Sequence, residues 1–328
     1  MKQKSQLEGG VKFENTNRKV GTGLCAFLWP LYARPEHGRM KEKYLQAPYR
    51  RDGYTWHEAV FPNIISFYEY LKSNPKTNPL SAGKRGSLSI NNVFHGAPLP
   101  KAINYIVTGY NDDFDQFLEL KKELDSKIIV PQNAARYKKS STGSRIHVPS
   151  AIAGSPNYMI KPIRREEKKF VNIHFNLSYE YNTKKALIRN RGLIALNLID
   201  LLQSHNYKVN LKAFDISSYG DEIACITIGL KNFEETINVS NCYYPFVAKE
   251  FCRRLLFYCL ETMYVKNDWY DGYGKVFGIE EIRGLLGIPE NEIVFGTPQE
   301  MGITKQLHQS VDNVFKKINL DQYIRLKR

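Results

Sequence analysis

The sequence predicts an α/β protein in two parts. Residues 1–168 read as a basic, irregular, mostly helical N-terminal region, and residues 169–328 as a three-layer α/β/α domain. Three observations carry this expectation. Residues 1–169 hold 28 Lys and Arg against 15 Asp and Glu, a balance of +13, whereas residues 170–328 hold 19 against 18. Beyond residue 169 the apolar pattern switches between the two-residue repeat of strands and the 3.6-residue repeat of helices, the order from which layered sheets are built. Before it, stretches rich in Gly, Pro, Ser and Asn interrupt each periodic segment. At 328 residues with 42% hydrophobic content, the chain has length for about two domains and apolar mass for real cores.

In the N-terminal region, residues 1–20 are polar and read as loosely structured. Tyr54–Ser73 reads as helical, with Thr55 as N-cap and Glu58 three residues later closing a capping box. Pro62 interrupts it and marks a second start. Residues 74–101 read as an exposed loop, and a short helix is expected over 113–126 with Asp112, Asp113 and Asp115 leading it. Residues 136–146 read as a basic Ser/Gly loop, and the charged run Arg164–Lys169 closes the region.

The C-terminal region is more regular. Residues 170–178 alternate and predict a strand, and residues 183–204 carry apolar positions at helical spacing. Lys208–Phe214 and Glu222–Leu230 read as two strands of an antiparallel hairpin joined by a Ser/Gly/Asp turn. A long helix is expected over 245–264, a short one over 279–286, a strand over Glu292–Phe295 and a closing helix over 304–318.

No run of about 18 apolar residues is present, so no membrane partner is expected. Leu24–Tyr32 is apolar but short and lacks a small-residue cleavage pattern. Cys25, Cys225, Cys242, Cys252 and Cys259 show no CxxC spacing, which argues against a zinc site or disulfide framework and fits a reducing bacterial cytoplasm.

Candidate chemistry is sparse. The basic groups at Arg50, Arg51, Lys84, Arg85, Lys138, Lys139, Arg145, Arg164 and Arg165 include several in loops, with Tyr44, Tyr49, Tyr54 and Tyr137 near some of them. Cations with stacking rings suit nucleic acid, DNA or RNA, single strands above all. An ordinary solvated basic surface, or contact with an acidic protein or other subunits, is the competing explanation. Asp112, Asp113 and Asp115 suggest metal-assisted phosphoryl chemistry of a nuclease type, but their place before a helix makes capping the simpler role. The seven histidines form no HxH or HExxH pair, and His174 alone within its strand lacks a second ligand. Gly21-Thr22-Gly23 and Gly83–Gly86 do not link a strand to a helix, so no cofactor fingerprint and no catalytic residue is expected. Gly192, inside the helix over 183–204, predicts close packing of that helix against the sheet.

The order strand, long helix, antiparallel hairpin, helix, strand, helix over about 168–318 resembles a von Willebrand factor A-type domain. In that family the first strand ends in Asp-x-Ser-x-Ser and binds a divalent cation. Here Asn176, Ser178 and Glu180 stand at those positions, with Arg191 near the rim, so the resemblance implies a degenerate site and no bound metal. It also implies a protein partner at the edge of the sheet where such domains bind. The pieces Ala153-Gly154-Ser155-Pro156 with Met159, the Asn-x-Ser strand end, Arg191-Gly192 and Tyr207–Leu211 are similar to an uncharacterised family of tailed-phage proteins, which implies a phage or mobile-element origin.

Overall fold

From Val171 to Phe175 the strand Lys169–Asn176 alternates buried and half-buried side chains, and it has a parallel neighbour on each side in the main sheet. The computed structural model describes residues 43–73, 86–129, 137–143, 145–162, 169–205, 207–263, 273, 275–318 and 325–326. All of them belong to one unit, His37–Arg328.

In chain order the strands are β1 (Tyr49–Arg51), β2 (Tyr54–Phe61), β3 (Ile128–Ile129), β4 (Tyr137–Ser140), β5 (Arg145–Ile146), β6 (Met159–Pro162), β7 (Lys169–Asn176), β8 (Tyr207–Tyr219), β9 (Glu222–Lys231), β10 (Lys275–Val276), β11 (Ile293–Phe295) and β12 (Arg325–Leu326). The α-helices are α1 (Ile64–Lys72), α2 (Asn92–His95), α3 (Leu99–Thr108), α4 (Phe114–Lys127), α5 (Val148–Ile152), α6 (Lys185–Ser204), α7 (Val239–Val247), α8 (Phe257–Met263), α9 (Ile279–Leu286) and α10 (Leu307–Lys317). A π-helical stretch, Phe251–Leu256, runs directly into α8.

The main sheet has the order β1-β2-β9-β8-β7-β11, with β10 added to β8. Pairs β2–β9, β8–β7 and β7–β11 are parallel; β1–β2, β9–β8 and β10–β8 are antiparallel. Helices cover both faces. On one, Trp56, Phe214, Ile216, Ile223 and Val294 pack against α9 through Ile282. On the other, Val171, Ile173 and Phe175 belong to the large core that includes α1, α3, α4, α6, α7 and α8. The layered α/β class expected from the sequence is therefore present.

Several expectations change, three of them bearing on the sheets. Tyr54–Phe61 is a strand, not the start of a helix: Trp56, Ala59 and Phe61 are buried, and its β-branched and aromatic residues suit a pleated surface. The helix begins after Pro62, with Asn63 as N-cap accepting from the Ser66 N–H at 2.8 Å. That strand also moves the boundary expected near residue 168, because β2 pairs with β9 over seven residues in the same sheet as β7 and β8. The N-terminal half is thus not a separate, mostly helical region: it supplies two strands of the main sheet and helices of its core. Third, the basic loop over 136–146 is largely strand, since β4 and β5 both pair with β6.

The helix expected over 245–264 begins earlier, at Val239, carries Pro245 inside α7, and becomes π-helical over Phe251–Leu256. Gly192 fits close packing, but against a helix rather than the sheet. A Cβ there would lie 2.4 Å from the Phe246 carbonyl oxygen in α7.

Candidate functional site

Two places in the molecule gather polar chemistry. The first lies where the edge of β8 changes partner. Up to Phe214, β8 is paired with β7; from Ser217, with β10. Between them the chain leaving β7 crosses over, the Leu177 N–H bonding to Phe214 O at 2.7 Å and the Ser178 hydroxyl lying against the backbone of Ile216. Such a change of neighbour at the carboxyl end of a strand opens a crevice in α/β sheets. Here it forms a cleft of about 550 Å³.

Ser178, Asp215 and Ser217 line this cleft, with Cys252 and Arg253 from the π-helical stretch and the rings of Tyr179, Tyr181, Phe257 and Tyr273 around it. The Ser178 hydroxyl donates to Asp215 Oδ1, and the Ser178 N–H donates to Asn176 Oδ1 at 2.9 Å. Asp215 is 4% exposed. Burial pushes its carboxyl up to about 6, against the lowering effect of the Ser178 hydrogen bond. The buried Ser217 hydroxyl and the Asn176 amide nitrogen have no hydrogen-bond partner among the described residues.

Arg253 is also buried, and three of its N–H groups go to carbonyls: Phe94 O at 3.2 Å, Glu180 O at 3.1 Å and Tyr181 O at 2.6 Å. Its guanidinium stands 4.2 Å from the Phe94 ring centre and 5.1 Å from that of Tyr179. Arg254 works the same way one residue on, donating to Ser87 O and Ser89 O at 2.6 Å and Ala97 O at 3.0 Å. Ser87 also donates through its hydroxyl to Glu261. Residues 87–97 are thus fastened to the helical layer by buried charged groups.

The rim residues expected at this edge are only partly together. Asn176 and Ser178 are buried and joined, but Glu180 is exposed at the mouth. Arg191 is buried inside, not solvated. It donates to Gly296 O at 2.7 Å, lies 4.6 Å from the Phe175 ring centre, and burial brings its guanidinium down to about 10. At the three positions expected to hold a cation, the first ligand does not suit a hard divalent ion. Asn176 offers an amide whose oxygen is already committed to Ser178, and its nitrogen presents a donor where a metal needs acceptors.

The second place is the small sheet β4-β6-β5, away from the main one. Lys138 is in register with Lys161, while Lys139, Ile160 and Arg145 form one rung across all three strands. Lys139, Arg145 and Lys161 are exposed, as are Ile146, Val148 and Ile152 beside them. Backbone contact holds the connecting turn down, since a Cβ on Gly143 would lie 2.4 Å from Ile160 O.

Of the other basic residues, Arg50 and Arg51 sit on β1. Arg50 faces Asp221 at 3.8 Å across exposed surface, and Arg51 pairs with Asp52 at 3.2 Å and covers the Trp56 ring at 5.4 Å. Lys84, Arg85, Arg164 and Arg165 lie outside the described residues. The acidic trio leads α4 as expected, with Asp115 in its first turn. Asp112 and Asp113 also tie α4 to α6, through Lys185 at 3.6 Å and Arg189 at 3.3 Å. His174 bonds to Glu292 at 2.6 Å, and His147 caps α5. Cys225, Cys242, Cys252 and Cys259 are free and buried.

Sequence reasoning missed Asp215, Ser217, Arg253 and Arg254. The available signals were the continuation of the β8 alternation past Phe214 and a pair of arginines inside the apolar run 251–260. Among the described residues no helix is long and apolar enough to cross a membrane.

No curated protein and no solved structure matches the chain. A family model with the description Domain of unknown function (DUF7192) matches residues 45–322, a span that runs unbroken across residue 168, and the chain therefore belongs to that family.

Proposed function

We propose that the protein is a non-enzymatic nucleic-acid-binding protein that uses the basic surface of its N-terminal half. The observation that carries this reading is the β4-β6-β5 sheet. Lys139 and Arg145 share one rung of an exposed ribbon, Lys161 stands exposed on the next rung, in register with Lys138, and the three strands hold no carboxylate. Phosphates are the natural counterpart of such a ribbon, because each bound phosphate releases condensed cations. The resemblance to tailed-phage proteins supports a phage or mobile-element setting. The sheet order β9-β8-β7-β11 with its antiparallel hairpin supports the likeness to a von Willebrand A-type domain. A protein bound at that domain's sheet edge would complete a nucleoprotein assembly.

The test is a gel shift of the full chain with single-stranded and duplex DNA and RNA over a salt series. Binding that falls steeply with salt is expected. Lys139→Glu with Arg145→Glu should weaken it for all sequences alike and flatten the salt slope by about one unit per lost phosphate contact. No salt-dependent binding to any of these probes would end the proposal. The second reading, an assembly protein docking an acidic partner, draws on Ile146, Val148 and Ile152, whose exposed side chains beside the basic strands suit a protein better than a phosphate backbone.

A further inference from the structure

We infer that the cleft at the change of partner along β8 is a binding site for a small organic cation bearing N–H donors, a primary ammonium or a guanidinium group. The floor of the cleft carries a carboxylate, Asp215, and two hydroxyls, Ser178 and Ser217. All three residues are more than nine-tenths buried. Asp215 has one described hydrogen-bond partner, Ser178, and no ion pair among the described residues. A buried carboxylate is ordinarily matched by a cation or a metal, because desolvation without a partner is costly. The Ser217 hydroxyl has no partner at all among the described residues. A carboxylate flanked by one engaged and one open hydroxyl presents acceptors, and the complement of acceptors is a donor carrying positive charge.

The chain's own cations near the cleft do not fill this role. Arg253 lies in the wall, but three of its N–H groups go to the carbonyls of Phe94, Glu180 and Tyr181, its guanidinium lies beside the rings of Phe94 and Tyr179, and no ion pair joins it to Asp215. Lys275 lies at the margin and donates to Glu281 at 3.2 Å. Glu180 at the mouth adds a second carboxylate with no ion pair among the described residues. A phosphate would meet Asp215 and Glu180 unfavourably, so this is not a continuation of the basic ribbon. The exposed ring of Tyr181 and the pair Phe257 and Tyr273, stacked with ring centres 3.6 Å apart, give the lining an aromatic part that suits the carbon skeleton of an organic cation better than a bare inorganic ion. The volume, about 550 Å³, suits a small molecule rather than a bare ion.

Isothermal titration calorimetry of the full chain with 1,4-diaminobutane and with agmatine tests the assignment, with magnesium chloride and sodium chloride at matched ionic strength as comparisons. Saturable binding of at least one amine, with a dissociation constant of about 1 mM or tighter, is expected. Asp215→Asn keeps the side chain's shape and a hydrogen bond to Ser178 while removing the charge, and should weaken binding about tenfold or more. Ser217→Ala, a smaller change, should weaken it several-fold and leaves Asp215 in place should the first variant fail to fold. Amine binding unchanged in both variants, no saturable binding of either amine, or saturable magnesium binding in place of the amines would overturn the inference.

Discussion

The two polar regions hold charge in opposite ways. On the β4-β6-β5 ribbon, Lys139, Arg145 and Lys161 stand in solvent without a structural task that the fold depends on. In the helical layer over the main sheet, Arg191, Arg253 and Arg254 are buried, Arg191 donating to one backbone carbonyl and the other two to three each. A count of residues treats these as equal. Physically they are not: a buried guanidinium that satisfies several carbonyls is a piece of architecture, and only an exposed one is available to a partner. The near-neutral balance of residues 170–328 therefore says little about the surface those residues present.

That contrast can be broken most decisively by cutting the chain where the charge balance changes. Removing residues 1–168 takes away β1 and β2 and bares the edge of β9, along with the core surface beneath α1, α3 and α4. The fragment 169–328 is expected to aggregate or unfold, read by size-exclusion chromatography and circular dichroism; a soluble monomer with native helix content would restore the boundary. Next in size, Arg254→Met strands the carbonyls of Ser87, Ser89 and Ala97 and should cost about 3–5 kcal/mol in urea unfolding. Gly192→Ala drives a methyl into the Phe246 carbonyl and should cost about 1–3 kcal/mol by the same measurement.

Asp215→Asn should act in the other direction. The Asp215 carboxyl titrates near 6 in the folded protein and near 3.8 when unfolded, so ionisation opposes folding. The favourable state is fully present below pH 3.8 and is lost as pH rises through 6. The variant should therefore be more stable than the parent by on the order of 2 kcal/mol at pH 8 and equal to it near pH 3, compared by thermal melts across pH. Smallest of all, Lys139→Glu with Arg145→Glu should change stability by no more than about 0.5 kcal/mol, whatever it does to nucleic-acid binding. A large loss would show that the ribbon is architecture too.

The sequence revealed most where one physical signal acted alone. The helix over 279–286, the hairpin of β8 and β9 and the strand β7 follow from periodicity, and the structure places them within a few residues of expectation. Tyr54–Phe61 misled because Thr55 and Glu58 imitate a helix start, while the pairing that makes it a strand comes from β9, far away in the chain. For the site, Asn176 and Ser178 were legible as a strand end. Asp215 was hidden because the strand was expected to end at Phe214, which put this carboxylate in a turn, where it reads as solvated, whereas β8 runs on to Tyr219. The same limit applied to Arg253 and Arg254, whose carbonyl partners lie in a segment that reads as a loop.

The pairing of β2 with β9 also sets an order of assembly. Thr55 lies opposite Glu222, 167 residues downstream, and Arg254 reaches back to Ser87 across a similar stretch. While the chain is being made, β2 has no parallel partner until β9 has left the ribosome, and residues 87–97 wait through an equal length of chain for Arg254. Trp56 and Phe61, which end fully covered, have only near neighbours such as Tyr49 and Phe67 to pack on during that interval. A nascent chain with an unpaired strand and incompletely packed aromatics is a natural client for a chaperone, and its folding is governed by this long loop closure rather than by any local helix.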